Sequence, residues 1–261
     1  MPCYKRITVK IGSNVLTRPD GTLDVTRISA LVDQIADLRR RNIEVILVSS
    51  GAVASGRSEL GIEHNRRLDA VSARQLFSAV GQAKLINRYY ELFKEHSIAC
   101  GQVLTMKENF APRRHYLNQK HCMEVMLENG VIPIVNENDT VSVTELMFTD
   151  NDELSGMIAT MMGAEALIIL SNCNIARKVA QEGIEVIIAN GKRDNILTDL
   201  LCNERYVCCT RFLPAKKTTS SIKKWIAHSE GFAKGELRIN AGAAEKLCSH
   251  HAVSLLPIGV T

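Results

Sequence analysis

Aromatic residues make up only 5% of this 261-residue chain, too few for the base-stacking platforms that single-stranded nucleic acid requires. Neither sign of charge dominates. Against 28 Asp and Glu stand 32 Lys and Arg, and a formal net charge of +4 is too mild to mark a polyanion binder. No apolar run approaches the ~20 residues of a membrane-spanning helix. The eight cysteines, at positions 3, 100, 122, 173, 202, 208, 209 and 248, include no CxxC pair and no His/Cys metal spacing, so a structural zinc site is excluded. Most of them sit in apolar runs and read as buried thiols of a reducing cytosol. The start, MPCYKRITVKIG, reads as a strand rather than a signal peptide. These absences leave a soluble cytoplasmic protein with no membrane and no nucleic-acid partner. Its 46% hydrophobic and 23% charged residues are enough to bury the core of one large α/β domain.

What is present is organised around VIPIVNENDTVSVTELMFTDNDELSGMIATMMG, residues 131–163. The β-branched run 131–135 reads as a buried strand. It stops at Asn136-Glu137-Asn138-Asp139, and a second polar knot, Asp150-Asn151-Asp152-Glu153, precedes Leu154, Ile158 and Met161 at helical spacing. Open α/β sheets hold ligands where strands end and helices begin. An N-cap at Asp150 with a capping box closed by Glu153 explains the second knot equally well, but it does not explain the first.

Earlier in the chain, strand 6–11 is closed by Gly12-Ser13-Asn14, with Lys10 at its end; alone, that lysine would read as a surface residue of an edge strand. A helix from Thr26 follows, carrying Ile28, Leu31, Val32, Ile35 and Leu38 on one side and ending in the solvated Arg39-Arg40-Arg41. Strand 44–48 then leads through Ser49-Ser50-Gly51-Ala52 into a helix. Small residues there leave free N–H groups at a helix N-terminus, an arrangement suited to anions. A long helix over 70–96 presents Leu76, Val80, Leu85, Ile86, Tyr89 and Phe93 as its apolar side. Strand 98–104 and helix 113–129 come next, the latter with Leu117, Cys122, Val125 and Met126 as buried positions and Gly130 just past its end. Beyond 163, strands are expected at 166–170, 184–189, 206–213, 235–239 and 253–256. Helices are expected at 174–181, 194–202 and 241–250. Strands alternating with helices imply a mostly parallel sheet covered on both sides, in a single domain.

The segments VKIGSNVLT, VSSGAVASGR, AVGQ at 79–82, VNENDTV, DNDELS and SLLPIG occur in order over nearly the whole chain. Together they resemble the glutamate 5-kinases of the amino-acid kinase superfamily. The resemblance implies a three-layer αβα sandwich with a mostly parallel central sheet. It divides 1–261 into a glutamate-binding part, about 1–165, and a nucleotide-binding part, about 166–261. It implies ATP-dependent phosphorylation of the γ-carboxylate of L-glutamate, the first step of proline biosynthesis, with Mg2+. It further implies feedback inhibition by L-proline, glutamate-5-semialdehyde dehydrogenase as pathway partner, and a dimeric or tetrameric homo-oligomer. The RNA-binding-like PUA module that follows in many relatives is not expected here.

Residue by residue, the resemblance gives Lys10 to the transferring phosphoryl group and Asp152 to organising the active-site lysines. Ser50, Gly51, Asp139 and Asn151 fall to glutamate, and Lys10, Gly12, Ser171 and Asn172 to ATP; no residue is assigned to a metal. After Asn172 the family continues into a Gly-Leu-Tyr-Thr-Ala-Asp-Pro stretch and later a GTGGM-x-TK segment that supplies a second lysine. Here Asn172 runs straight into CNIARKVAQEGIEVII. Either the chain lacks this nucleotide clamp or a loop that orders with ATP is left out between 172 and 173, and the second is preferred. Two alternatives stay open. One is a catalytically impaired glutamate- or proline-binding sensor; the other is a sibling kinase with a different acidic substrate, which NEND…DNDE and KIGS disfavour.

Overall fold

A computed structural model of the chain describes residues 4–61, 68–141, 151–171, 176–202, 207–215 and 240–242. Its contacts divide the chain into Met1–His228 and Ser229–Thr261, and every element named below lies in the first unit. In order these are β1 (Arg6–Ile11), α1 (Ser13–Leu16), α2 (Val25–Arg40), β2 (Glu44–Ser49), α3 (Ala52–Leu60), α4 (Ala70–Glu95) and β3 (Cys100–Thr105). A 3-10 turn (Lys107–Phe110) leads to α5 (Arg113–Glu128), β4 (Ile132–Glu137), α6 (Asn151–Met162), β5 (Ala166–Leu170), α7 (Ala176–Gln181), β6 (Glu185–Ala189), α8 (Ile196–Leu201) and β7 (Cys209–Phe212). The strands and helix expected beyond 234 fall almost wholly outside the described residues, as does Asp150.

The strands form one sheet in the order β3-β4-β2-β1-β5-β6-β7, parallel throughout except for β7, which runs antiparallel to β6. Helices cover both faces, giving the expected three-layer sandwich. On one face, α2, α4 and α8 pack through Ile28, Leu31, Ile35, Leu85, Tyr89, Phe93 and Ile196 against alternate strand residues Ile7, Val9 and Leu47. On the other, Tyr116, Met123 and Leu127 of α5 and Leu154, Ile158 and Met161 of α6 cover Ile46, Val48 and Val135, and α7 covers Leu167 and Ile169. Strands buried on both faces read as continuous apolar runs, and these do.

The winding reverses at β1, which lies between β2 and β5. Lys10 is therefore not on an edge; it is 5% exposed, in the centre of the sheet. Other readings shift as well. Helix α5 faces inward with Tyr116, Met123 and Leu127, whereas Leu117 and Val125 are 46% and 40% exposed; apolar residues line both sides of this helix, and only the sheet beneath decides which side is buried. In α4, Phe77 takes the inward place that Leu76 was expected to hold. None of the five described cysteines is fully buried: Cys122 and Cys208 are exposed, and Cys100, Cys202 and Cys209 are partly so. Apolar neighbours in sequence do not bury a side chain that points away from the sheet.

Helices α3 and α4 cross with backbone against backbone. A methyl group on Gly81 would lie 1.8 Å from the Ala52 carbonyl oxygen, and one on Gly56 would lie 1.8 Å from that of Phe77. This crossing fixes α4 beside the carboxyl ends of β2 and β4.

Candidate active site

The carboxyl rim of the sheet gathers the polar residues. From β1, the Lys10 ammonium donates a 2.8 Å hydrogen bond to Ser171 Oγ, just past β5, and forms an ion pair with Asp152 in the first turn of α6. That pair is buried, with side chains 7% and 3% exposed. A carboxylate in the first turn of a helix is favoured by the helix dipole, so Asp152 is held where it can fix the lysine. Gly12 follows β1 and donates its N–H to the Leu170 carbonyl. A Cβ there would stand 2.7 Å from that of Ser171, so only glycine permits this approach of the two loops.

At the end of β2, Ser50 accepts a 2.8 Å hydrogen bond from Asn151 Nδ2, which also donates to Asn136 Oδ1 at 3.2 Å. Asn136 Nδ2 in turn donates to Gln82 Oε1 of α4 at 2.8 Å. Gly51, at φ 101°, turns the chain into α3 in a conformation that disfavours other residues. Ser49, one residue earlier, shares a 2.9 Å hydrogen bond with the buried hydroxyl of Tyr89, which ties the floor of the site to α4.

Strand β4 runs further than its apolar stretch, so Asn136 and Glu137 are strand residues, each 3% exposed, and Asp139 is 5% exposed. Buried carboxylates need partners, and α4 supplies them. Arg74 Nε donates to Asp139 Oδ1 at 2.8 Å and its Nη2 to Glu137 Oε2 at 3.1 Å, while Ser78 Oγ donates to Asp139 Oδ2 at 3.2 Å. Glu153, expected in a capping box, forms an ion pair with Lys107 at 3.2 Å.

Two cavities open here. One, of about 310 Å3, is lined by Ser50, Gly51, Arg57, Arg74, Asp139 and Asn151, among others. The other, of about 420 Å3, is lined by Asn14, Ser171, Gly191, Lys192, Cys208 and Cys209, among others. Lys10 stands between them, touching Ser171 of the second and Asp152, the neighbour of Asn151 in the first. Thus Lys10, Gly12, Ser50, Gly51, Asp139, Asn151, Asp152 and Ser171 share one rim. Asn172 lies outside the described residues. Arg74, Arg57 and Ser78 were not anticipated. Residues i, i+4 and i+8 of one helix face, Arg74, Ser78 and Gln82, were the available signal.

The amino acid kinase family model matches residues 5–175. The chain belongs to that family. Among family members, the glutamate 5-kinase of Bacteroides thetaiotaomicron is 62% identical to it, over 99% of this chain and 84% of that protein. That of Chlorobaculum tepidum is 42% identical, over 100% of this chain and 83% of the other. An X-ray structure of isopentenyl phosphate kinase superposes with a TM-score of 0.54 at 15% identity, covering 77% of this chain and 98% of that one, a likeness of fold alone. The alignment with the Bacteroides member extends over 303 positions, whereas this chain has 261 residues; at least 42 positions (303 less 261) therefore have no counterpart here.

Proposed function

We propose that the protein transfers the γ-phosphoryl group of ATP to the γ-carboxylate of L-glutamate, forming L-glutamyl 5-phosphate at the head of proline biosynthesis. The observation that carries this reading is Lys10, fixed by Asp152 and Ser171 between two cavities, in a chain 62% identical to a glutamate 5-kinase.

The reaction brings two anions together, so the site must first offset charge. In this reading the 310 Å3 cavity takes glutamate and the 420 Å3 cavity takes the nucleotide. Asp139 meets the substrate ammonium, and Ser50, Asn151 and the free N–H groups after Gly51 meet carboxylate oxygens. Lys10 crosses to the transferring phosphoryl group and stabilises the charge that spreads over its oxygens. Asp152 positions Lys10 and takes no proton. No general base is required, because the glutamate side chain, with a pKa of about 4.3, is already ionised near neutrality. Among the described residues no group of three or more His, Cys, Asp or Glu could cage a metal. Ser171 and Asp152 are engaged by the Lys10 ammonium, so Mg2+ would be held chiefly by the phosphates that carry it in, as its preference for phosphate and water oxygens allows. Bound there, the ion would neutralise phosphate charge.

On the same reading, residues 1–261 form one kinase domain, L-proline is a feedback inhibitor, and the chain works as a cytoplasmic homo-oligomer. Glutamate-5-semialdehyde dehydrogenase consumes the product. These points extend the likeness to glutamate 5-kinases; no helix of the described residues is long and apolar enough to cross a membrane.

Trapping the acyl phosphate with hydroxylamine tests the central claim. ATP-dependent hydroxamate should form with glutamate and not with aspartate. Equal or faster formation with aspartate, or none with either, would overturn it. The 42-position shortfall favours one second reading, a glutamate-binding sensor that no longer holds ATP. Calorimetry with a non-hydrolysable ATP analogue separates the two: saturable binding supports the kinase, and glutamate binding without nucleotide binding supports the sensor.

A further inference from the structure

The region around Asp139 holds more charge than an ammonium receptor needs. Glu137 and Asp139, two residues apart, are both buried, and a single guanidinium from α4 serves them both. Arg74 is not enclosed with them. Its side chain is 38% exposed and lines the 310 Å3 cavity. A guanidinium is a planar fork of five donors, and engaging one edge on carboxylates leaves the rest able to serve another planar anion. The cavity, which Glu137 lines as well, therefore presents carboxylate and guanidinium side by side, with the guanidinium held by Glu137 in addition to Asp139.

An α-amino acid carries the complementary pair. Its ammonium and α-carboxylate are bonded to the same carbon, so receptors for them must themselves be neighbours. Arg74 and Asp139 are in direct contact, with Nε 2.8 Å from Oδ1. Arg57, the other guanidinium lining the cavity, sits 5.4 Å over the Phe77 ring, and no contact joins it to Asp139 among those described.

We infer that Arg74 is a specificity-determining residue that receives the α-carboxylate of the substrate, so that Arg74 and Asp139 together read the zwitterionic head group. Glu137 holds the guanidinium in place when the ligand draws on it. Ligands bearing only one of the two head-group charges leave the other receptor desolvated and unanswered, and are disfavoured. This inference rests on the reading of Asp139 as ammonium receptor.

Calorimetric binding to the intact protein tests it, with L-glutamate and 4-aminobutyrate as probes. The second compound is glutamate without its α-carboxylate. The parent protein should bind glutamate far more tightly. Arg74→Met should weaken glutamate binding at least about tenfold, in line with loss of a charge-assisted hydrogen bond, while 4-aminobutyrate binding stays within about threefold or tightens as Asp139 is freed. Arg74→Lys keeps the charge and the fold and should retain part of the preference. Parallel weakening of both probes by Arg74→Met would mean a merely structural role and overturn the inference. So would transfer of the effect to Arg57→Met, or a parent that binds both probes alike. A parent that prefers glutamate yet forms no hydroxamate with ATP would defeat the kinase reading and leave this one standing.

Discussion

The crossing of α3 over α4 offers a test in which two physical effects have opposite signs. Gly81 lies in the interior of a 26-residue helix, where replacing Gly by Ala ordinarily adds about 1 kcal/mol through helix propensity. At this position the new Cβ would sit 1.8 Å from the Ala52 oxygen and 2.4 Å from the Gly56 nitrogen, against a floor of about 3.0 Å for real contacts. Both obstacles are backbone, so no rotamer change relieves them; α3 must move by at least 1.2 Å (3.0 less 1.8). Overpacking of this kind, backbone shifts included, costs about 1–3 kcal/mol, and two backbone obstacles place this site at the upper end. Gly81→Ala should therefore destabilise by roughly 2 kcal/mol net of propensity, lowering the urea midpoint by about 0.7–1 M at a slope of about 2–3 kcal/mol/M. Because α3 and α4 carry Ala52, Arg57 and Arg74 into the 310 Å3 cavity proposed for glutamate, the Michaelis constant for glutamate should rise as well. A midpoint that rises instead would show that helix propensity governs this position and that the close crossing is wrong.

Three further outcomes are expected. Lys10→Met should cut hydroxamate turnover by at least about 10^3-fold, with the glutamate Michaelis constant within about threefold of the parent; a change confined to that constant would remove Lys10 from phosphoryl transfer. Burial, then the hydrogen bond to Glu185, pushes the Tyr4 hydroxyl from 10.0 up to about 12, burial likewise takes Tyr116 to about 12, and burial raises Tyr89 too. A raised phenol favours the folded state fully below pH 10 and loses that contribution as the pH climbs towards 12, so urea midpoints should fall steeply between about pH 10 and about pH 12; a flat profile would contradict the burial. In thiol mapping near about pH 8, exposed Cys122 and Cys208 should react first among the described cysteines, and Cys100, which burial pushes up to about 11, far more slowly. Saturating ATP should slow Cys208 and spare Cys122, and equal rates with and without ATP would separate the second cavity from the nucleotide.

The strands and most helices were legible because this sheet is buried on both faces. Runs such as ALIIL at 166–170 and EVILV at 44–48 admit few other fates. The rim residues were legible from the abrupt polar ends of those runs. Less legible was anything set by the packing of one helix on another. Arg74 lies 65 residues from Asp139 in sequence, and the packing of α4 on α3 and on the sheet brings it there. Periodicity alone could not choose between the two apolar sides of α5. The same limit applies to the cysteines, whose exposure depends on which way a side chain points from its strand or helix.

The reversal of winding at β1 divides the cavity linings along the chain. Every described residue lining the 310 Å3 cavity comes from position 151 or before, whereas the 420 Å3 cavity draws on 171–210, with only Asn14 and Val15 from the first stretch. On the proposed assignment, acceptor chemistry and donor chemistry occupy largely successive blocks of the polypeptide, joined at a single lysine. Recombination between two such chains near residue 165 would exchange most of one lining at once, with Asn14 and Val15 the residues that must still match across the new junction.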